Sequence, residues 1–192
     1  KMEKYMGNKK EIWVVCEIIN NVIVQSSLEL ISKAKKLANK NDWLISAFVI
    51  TSNIKDNQYS LESLGVDIIY VCNADVQEEF YDGIYAKTAA YYAKEYSPEI
   101  ILAAATVHGR SIAPQIAMIL GTGLTADCTG LEIDEKGLLV QTRPAYSGNL
   151  IAQILCETAR PQMASVRPGV FAIHKVKQEE ICKSKIILLK DI

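Results

Sequence analysis

Ile100 to Gly121 reads IILAAATVHGRSIAPQIAMILG. Its opening, Ile100 to Thr106, is an almost unbroken apolar run, as expected of a strand covered on both faces of a parallel sheet. Then Ile112, Ile116, Ile119 and Leu120 recur at helical spacing, and Gly121 supplies a C-terminal stop. The link between them, Thr106-Val107-His108-Gly109-Arg110-Ser111, holds a glycine for a tight turn. It delivers a helix N-terminus whose free N–H groups suit an anion.

The same alternation extends upstream. Glu11 to Ile18 reads as a buried strand. A helix to about Lys40 follows, with Ser26 or Ser27 as cap and an apolar stripe of Leu30, Ile31, Ala34, Leu37 and Ala38. Trp43 to Thr51 is a second strand. A short helix near Ser60 to Leu64 ends at Gly65, and Asp67 to Cys72 is a third strand. A long helix runs from about Gln77 to Tyr96, closed by Pro98. Strand and helix alternating at this pace predict a three-layer, doubly wound α/β sheet, mostly parallel, of order 3-2-1-4-5. In that order strands one and four flank the switch point where ligands bind, so the Gly109 loop and Asn20-Asn21 would face one crevice. Beyond Gly123 the pattern turns β-rich. Glu135-Lys136-Gly137 sits between strands Leu131–Asp134 and Leu138–Thr142 as a hairpin signal. Leu150–Glu157 and Met163–Val166 read as further strands, with turn chemistry at Ser147-Gly148-Asn149. The division expected is a loose start over 1–10, one domain over 11–173, and a tail over 174–192. That tail carries one apolar run, Ile186 to Leu189.

Composition narrows the function classes. The chain has 192 residues, 49% hydrophobic, with 21 basic and 22 acidic residues for a net charge of −1. That balance gives no electrostatic drive toward nucleic acid or an anionic membrane. No apolar run approaches the roughly 18 residues of a membrane span. Cys16, Cys72, Cys128, Cys156 and Cys182 are scattered, with no CxxC pair, so neither a zinc site nor a disulfide framework is indicated. A reducing cytoplasm is the compartment expected. No GxGxxG follows the first strand, where Ile18-Ile19-Asn20-Asn21 stands instead, and P-loop, GxSxG and HExxH patterns are missing. His108 and His174 are the only histidines. A thiol enzyme built on Cys128 and His108 would need a depressed thiol pKa beside a base. Tyr81, Tyr85, Tyr92 and Tyr96 share a face of the long helix beside Ala86, Ala89, Ala90 and Ala93. They read either as an aromatic binding surface or as helix-on-sheet packing.

The arginines are more pointed. All four, Arg110, Arg143, Arg160 and Arg167, fall between Glu95 and His174, where Lys136 is the one lysine. Three precede proline, which holds the backbone before it extended. Arg in place of Lys suits a planar fork meeting a carboxylate, phosphate or aromatic ring. The arginines either satisfy carboxylates within the domain or meet a subunit or cofactor.

Three segments carry a resemblance: Thr106–Thr129 (TVHGRSIAPQIAMILGTGLTADCT), Arg143–Asn149 (RPAYSGN) and Arg160–Phe171 (RPQMASVRPGVF). They resemble the electron transfer flavoprotein alpha subunit family in content, order and spacing, including a Gly-Arg step and an Ala-Pro helix start. The resemblance implies an N-terminal scaffold domain with a nucleotide-binding-like fold that normally holds no nucleotide. It implies pairing with a beta subunit that carries AMP, or a second FAD in bifurcating members. It implies an electron carrier and not an enzyme: FAD, held mainly in a C-terminal alpha domain, moves electrons from dehydrogenases, as in fatty acid beta-oxidation, to a quinone reductase or other acceptor. That flavin domain has no counterpart in these residues, so no FAD ligand carries over. Arg110, Arg143, Tyr146, Asn149 and Arg167 become the interface or flavin-proximal candidates. The competing reading is a stand-alone nucleotide-binding domain resembling universal stress proteins, which would need the missing glycine-rich phosphate loop.

Overall fold

The computed structural model describes residues 9–73, 82–145 and 150–190. Its centre is β1 (Glu11–Val15), every residue of which is buried. A short hairpin follows, β2 (Ile18–Ile19) with β3 (Val22–Ile23), then α1 (Gln25–Asn41), β4 (Leu44–Ile50), α2 (Lys55–Glu62) and β5 (Ile68–Cys72). The chain then crosses through α3 (Asp82–Tyr96) to β6 (Ile100–Ala104), and continues into α4 (Val107–Leu120) and β7 (Leu124–Cys128). Next come β8 (Gly130–Ile133), β9 (Leu139–Ala145), β10 (Leu150–Ile154), β11 (Gln162–Val166) and β12 (Lys185–Leu189).

Seven strands form one sheet in the order β12-β5-β4-β1-β6-β11-β7, and each neighbouring pair is parallel. The expected order 3-2-1-4 is therefore present as β5-β4-β1-β6. Its fifth place is taken by β11, which the sequence pattern assigns to the β-rich C-terminal part. All five residues of β11 are buried, so the strand needs cover on both faces and finds it inside the main sheet. The antiparallel part is the three-stranded sheet β10-β9-β8. The periodicity gives no strand over β7, because this edge strand, Leu124–Cys128, is only partly buried and carries no continuous apolar run. The apolar run of the tail pairs in register with β5, Ile186 opposite Ile69, and so closes the other edge.

Side chains alternate across the sheet, so β1 feeds two cores. Ile12 and Val14 pack toward α1, with Leu131 and Leu139 of the smaller sheet. Trp13 and Val15 pack toward α3 and α4. The second core is aromatic: Trp13 lies 4.6 Å from Tyr70 and 5.5 Å from Phe48, centroid to centroid. Tyr85 and Tyr92 belong to this core, which decides the tyrosine helix in favour of packing. The Tyr85 hydroxyl donates to Cys16 O at 2.5 Å, and that of Tyr92 to Lys190 O at 2.6 Å. Tyr81 and the expected start of that helix, 77–81, lie outside the described residues.

Helix ends differ from the expected caps. Val24 occupies the N-cap of α1 and makes no side-chain capping hydrogen bond, while Ser27 Oγ accepts the Glu17 N–H at 3.0 Å. The short helix spans Lys55–Glu62 and not Ser60–Leu64, although Gly65 does take the left-handed φ of +76°. Ala113-Pro114 lies inside α4, whose start is set earlier by Thr106.

Candidate functional site

In a doubly wound sheet the loops at the carboxyl ends of the strands gather where the crossovers change face. Here that point lies between β1, followed by α1 on one face, and β6, followed by α4 on the other. Thr106 organises it. Its Oγ1 accepts the Gly109 N–H at 3.0 Å, capping α4, and its hydroxyl donates to Glu17 Oε2 at 2.6 Å. The bond from Thr106 to Glu17 thus ties the end of β6 to the end of β1. Gly109 is required by contact: a Cβ there would stand 1.7 Å from the carbonyl oxygen of Ala104.

The segment after β1 is closed on itself. Asn20 and Asn21 take φ of +50° and +61°, the left-handed pair that a two-residue hairpin turn needs. Asn57 clamps the hairpin, accepting from Ile23 N at 2.9 Å and donating to Asn21 O at 2.8 Å. In α1, the Ser27 and Leu28 amides both donate to Val24 O, at 3.0 and 3.3 Å. Buried Glu29 accepts the Gly169 N–H at 2.8 Å. The place suits a dinucleotide pyrophosphate poorly: the buried carboxylate of Glu17 stands at the end of β1, and the Ser27 and Gly109 amides are already engaged.

Two of the four arginines, Arg110 and Arg167, converge on Asp127 beside the crevice, and the charge of Arg143 reaches the same carboxylate. Arg167 Nη2 lies 2.6 Å from Asp127 Oδ2, and its Nε 3.4 Å from Oδ1. Arg110 Nη2 stands 3.6 Å from Asp127 Oδ1, its Nε donating to Ala105 O at 3.0 Å. The Arg167 hydrogen bond, then the charges of Arg167, Arg110 and Arg143, hold the Asp127 carboxyl below the usual carboxylate range against partial burial. Asp127 itself sits at φ +60°, its N–H on Ser165 Oγ at 3.1 Å. Arg160 is apart: it pairs with Glu99 Oε1 at 2.5 Å and donates to the carbonyls of Cys156, Glu157 and Ala159. Its carboxylate is Glu99, distant in sequence, while Glu157 close by offers only its backbone carbonyl. Tyr146 and Asn149 lie outside the described residues.

The smaller sheet borders the cluster. Arg143 of β9 stands in register with Ala152 of β10. The edge strand β10 exposes Leu150 (58%) and Ile151 (73%), and Leu155 just beyond it is exposed as well. Asp127 and Glu17 are the residues that sequence reasoning misses. The signal for Asp127 is faint: a short acid in an edge strand amid an arginine-rich window.

Residues 12–186 match the electron transfer flavoprotein domain family. The chain belongs to that family. It is 47% identical over 165 residues to the electron transfer flavoprotein subunit alpha of Thermoanaerobacterium thermosaccharolyticum, covering 86% of this chain and 50% of that protein. It is 40% identical over 178 residues to the electron transfer flavoprotein subunit alpha of Clostridium acetobutylicum, covering 92% and 53%. It is 39% identical over 184 residues to the lactate dehydrogenase (NAD(+),ferredoxin) subunit LctC of Acetobacterium woodii, covering 92% and 44%. The chain spans about half the length of the curated relatives it matches. The seven-stranded parallel sheet with its antiparallel annex is thus an electron transfer flavoprotein domain of the alpha-subunit kind.

The other chemistries find little support in this domain's geometry. Burial pushes the Cys128 thiol up to about 11, away from the depressed value a nucleophile needs, with nearby Arg143 only partly offsetting it. Its Sγ faces Thr125 O at 3.5 Å, while His108 Nδ1 lies 3.2 Å from Asp82 Oδ1. Among the described residues no group of His, Cys, Asp and Glu is arranged to hold a metal ion. None of their helices is long and apolar enough to cross a membrane.

Proposed function

We propose that this domain is the non-catalytic scaffold of an electron transfer flavoprotein alpha subunit. It pairs with the beta subunit in a FAD-dependent carrier working in the cytoplasm between dehydrogenases and a quinone reductase or other acceptor. The observation that carries the reading is a contrast on one end of the molecule. At the crevice where a sheet of this kind would take a nucleotide, Thr106 is tied to the Glu17 carboxylate, and the Asn20-Asn21 hairpin after β1 is a closed turn clamped by Asn57. Beside it lie an exposed apolar strand edge and partly exposed arginines, the composition of a surface made to be covered. Flavin belongs outside this domain on that reading, since the crevice repels its pyrophosphate, and the redox step belongs to the assembled protein. The relatives are named as subunits, and the lactate dehydrogenase relative is a subunit of an assembly named for NAD(+) and ferredoxin.

Sedimentation of this chain with the beta subunit of the same organism tests the pairing. A complex is expected at concentrations on the order of tens of micromolar, near −6 kcal/mol of binding. Calorimetric titration with AMP and ATP is expected to be silent. Micromolar nucleotide binding with no complex would refute the scaffold reading.

A further inference from the structure

Two guanidiniums, those of Arg110 and Arg167, meet the Asp127 carboxylate at the carboxyl ends of β6, β7 and β11, and Arg143 of β9 is near enough for its charge to act on the same group. Three positive charges against one negative leave a surplus of two at this point. Asp127 is already committed through both oxygens, and its short contact is to Arg167 alone. Keeping the fold requires one arginine for that carboxylate, not three. Arg110 and Arg167 remain 63% and 48% exposed. A merely solvated charge is served by lysine, which this chain uses freely elsewhere, whereas a rigid fork of donors matches a planar acid group. Arg143 connects the cluster to the apolar edge, because its cross-strand neighbour Ala152 follows exposed Leu150 and Ile151 in β10. Exposed apolar side chains rimmed by arginine form the composition in which protein interfaces are enriched.

We propose that the Arg110–Arg143–Arg167 cluster is a receptor for carboxylate side chains of the partner subunit, Asp127 serving as its resident counter-ion. The inference rests on the pairing role proposed above and adds what the partner must present: an acidic pair beside an apolar strand. Asp127 spreads its single charge over two guanidiniums in the free domain and holds them apart. Incoming carboxylates then meet oriented donors and a positive field that speeds encounter.

The test is the Kd of this chain with the beta subunit of the same organism, measured across a range of salt concentrations. Arg110→Gln with Arg167→Gln is expected to weaken binding roughly tenfold at low salt and to flatten the salt dependence. Asp127→Asn keeps the shape and tolerates the left-handed backbone, and it raises the surplus from two charges to three, so it is expected to tighten binding. The second variant matters because fold maintenance predicts the opposite: removing the acid then leaves affinity unchanged or weakens it. If the unaltered protein fails to bind, the pairing reading falls and this one with it. If it binds and neither variant moves Kd, this inference alone falls. Micromolar binding of AMP or inorganic phosphate that the double variant abolishes would make the cluster a small-anion site and overturn the docking assignment.

Discussion

Gly109→Ala sets two rules against each other. Helix propensity favours alanine over glycine by up to about 1 kcal/mol in a helix interior. Contact opposes it, since the new Cβ would lie 1.7 Å from Ala104 O and 2.9 Å from the carbonyl carbon. A carbon meets an oxygen comfortably no closer than about 3.3 Å, so the start of α4 must retreat by about 1.5 Å. That retreat breaks the cap from Gly109 N to Thr106 Oγ1, which costs about 1 kcal/mol. It also strains the Thr106–Glu17 tie and the Arg110 contact to Ala105 O. With overpacking at about 1–3 kcal/mol, the clash outweighs propensity and leaves a net loss of about 1–3 kcal/mol. For a chain of this size that lowers Tm by about 2–12 °C. Urea unfolding followed by circular dichroism gives ΔΔG, and calorimetry gives Tm. Gly83→Ala is the control, because the nearest atom to its added Cβ is 3.9 Å away. It should be neutral or slightly stabilising. A Gly109→Ala protein as stable as the original would refute the close approach of α4 to β6 on which the site geometry stands.

Arg160→Lys should lower the Tm of the domain by about 2–4 °C, about 1 kcal/mol, because one planar head serves Glu99 and three carbonyls. Arg110→Lys and Arg167→Lys, at exposed pairs, should each shift it by no more than about 2 °C; equal losses at all three sites would erase the distinction between fold and docking arginines. Glu11 is buried and accepts from Ser46, Trp13 and Tyr70. Burial raises its pKa above the ordinary 4.5 despite those bonds, so the native state holds the proton more tightly than the unfolded chain. Its stabilising contribution is complete below 4.5 and is lost as pH rises through the folded value. Glu11→Gln should therefore gain stability relative to the original protein as pH climbs through that window, and parallel urea midpoints across pH would refute the assignment. For Cys128, a rise from 9.0 to about 11 suppresses the thiolate roughly a hundredfold. Iodoacetamide should modify exposed Cys182 long before Cys128 at pH 8, and the reverse order would reopen the thiol-enzyme reading.

The sequence by itself determines the elements that follow from local pattern. The unbroken apolar runs at Glu11–Val15 and Ile100–Ala104 announce strands covered on both faces, since only such strands dispense with polar alternation. Gly121 and Gly137 mark turns because each takes a left-handed φ. The three quoted motifs carry the family, and the arginines declare themselves by crowding into one window of the chain. Tertiary structure decides whatever depends on contacts between distant segments. Gln162–Val166 is a strand by its residues, but its place between β6 and β7 is fixed by which neighbours bury both of its faces. Val24 takes the α1 cap position while the Ser27 hydroxyl accepts the Glu17 N–H at the end of β1, a pairing that local sequence does not announce. Four arginines look alike in sequence. The backbone turn at Asp127 draws Arg167 and Arg110 to one carboxylate and leaves Arg143 in its field. Glu99, at the opposite ends of the strands, takes Arg160. A charge carries no local signature of its partner, because the attraction acts across whatever residues the fold brings close.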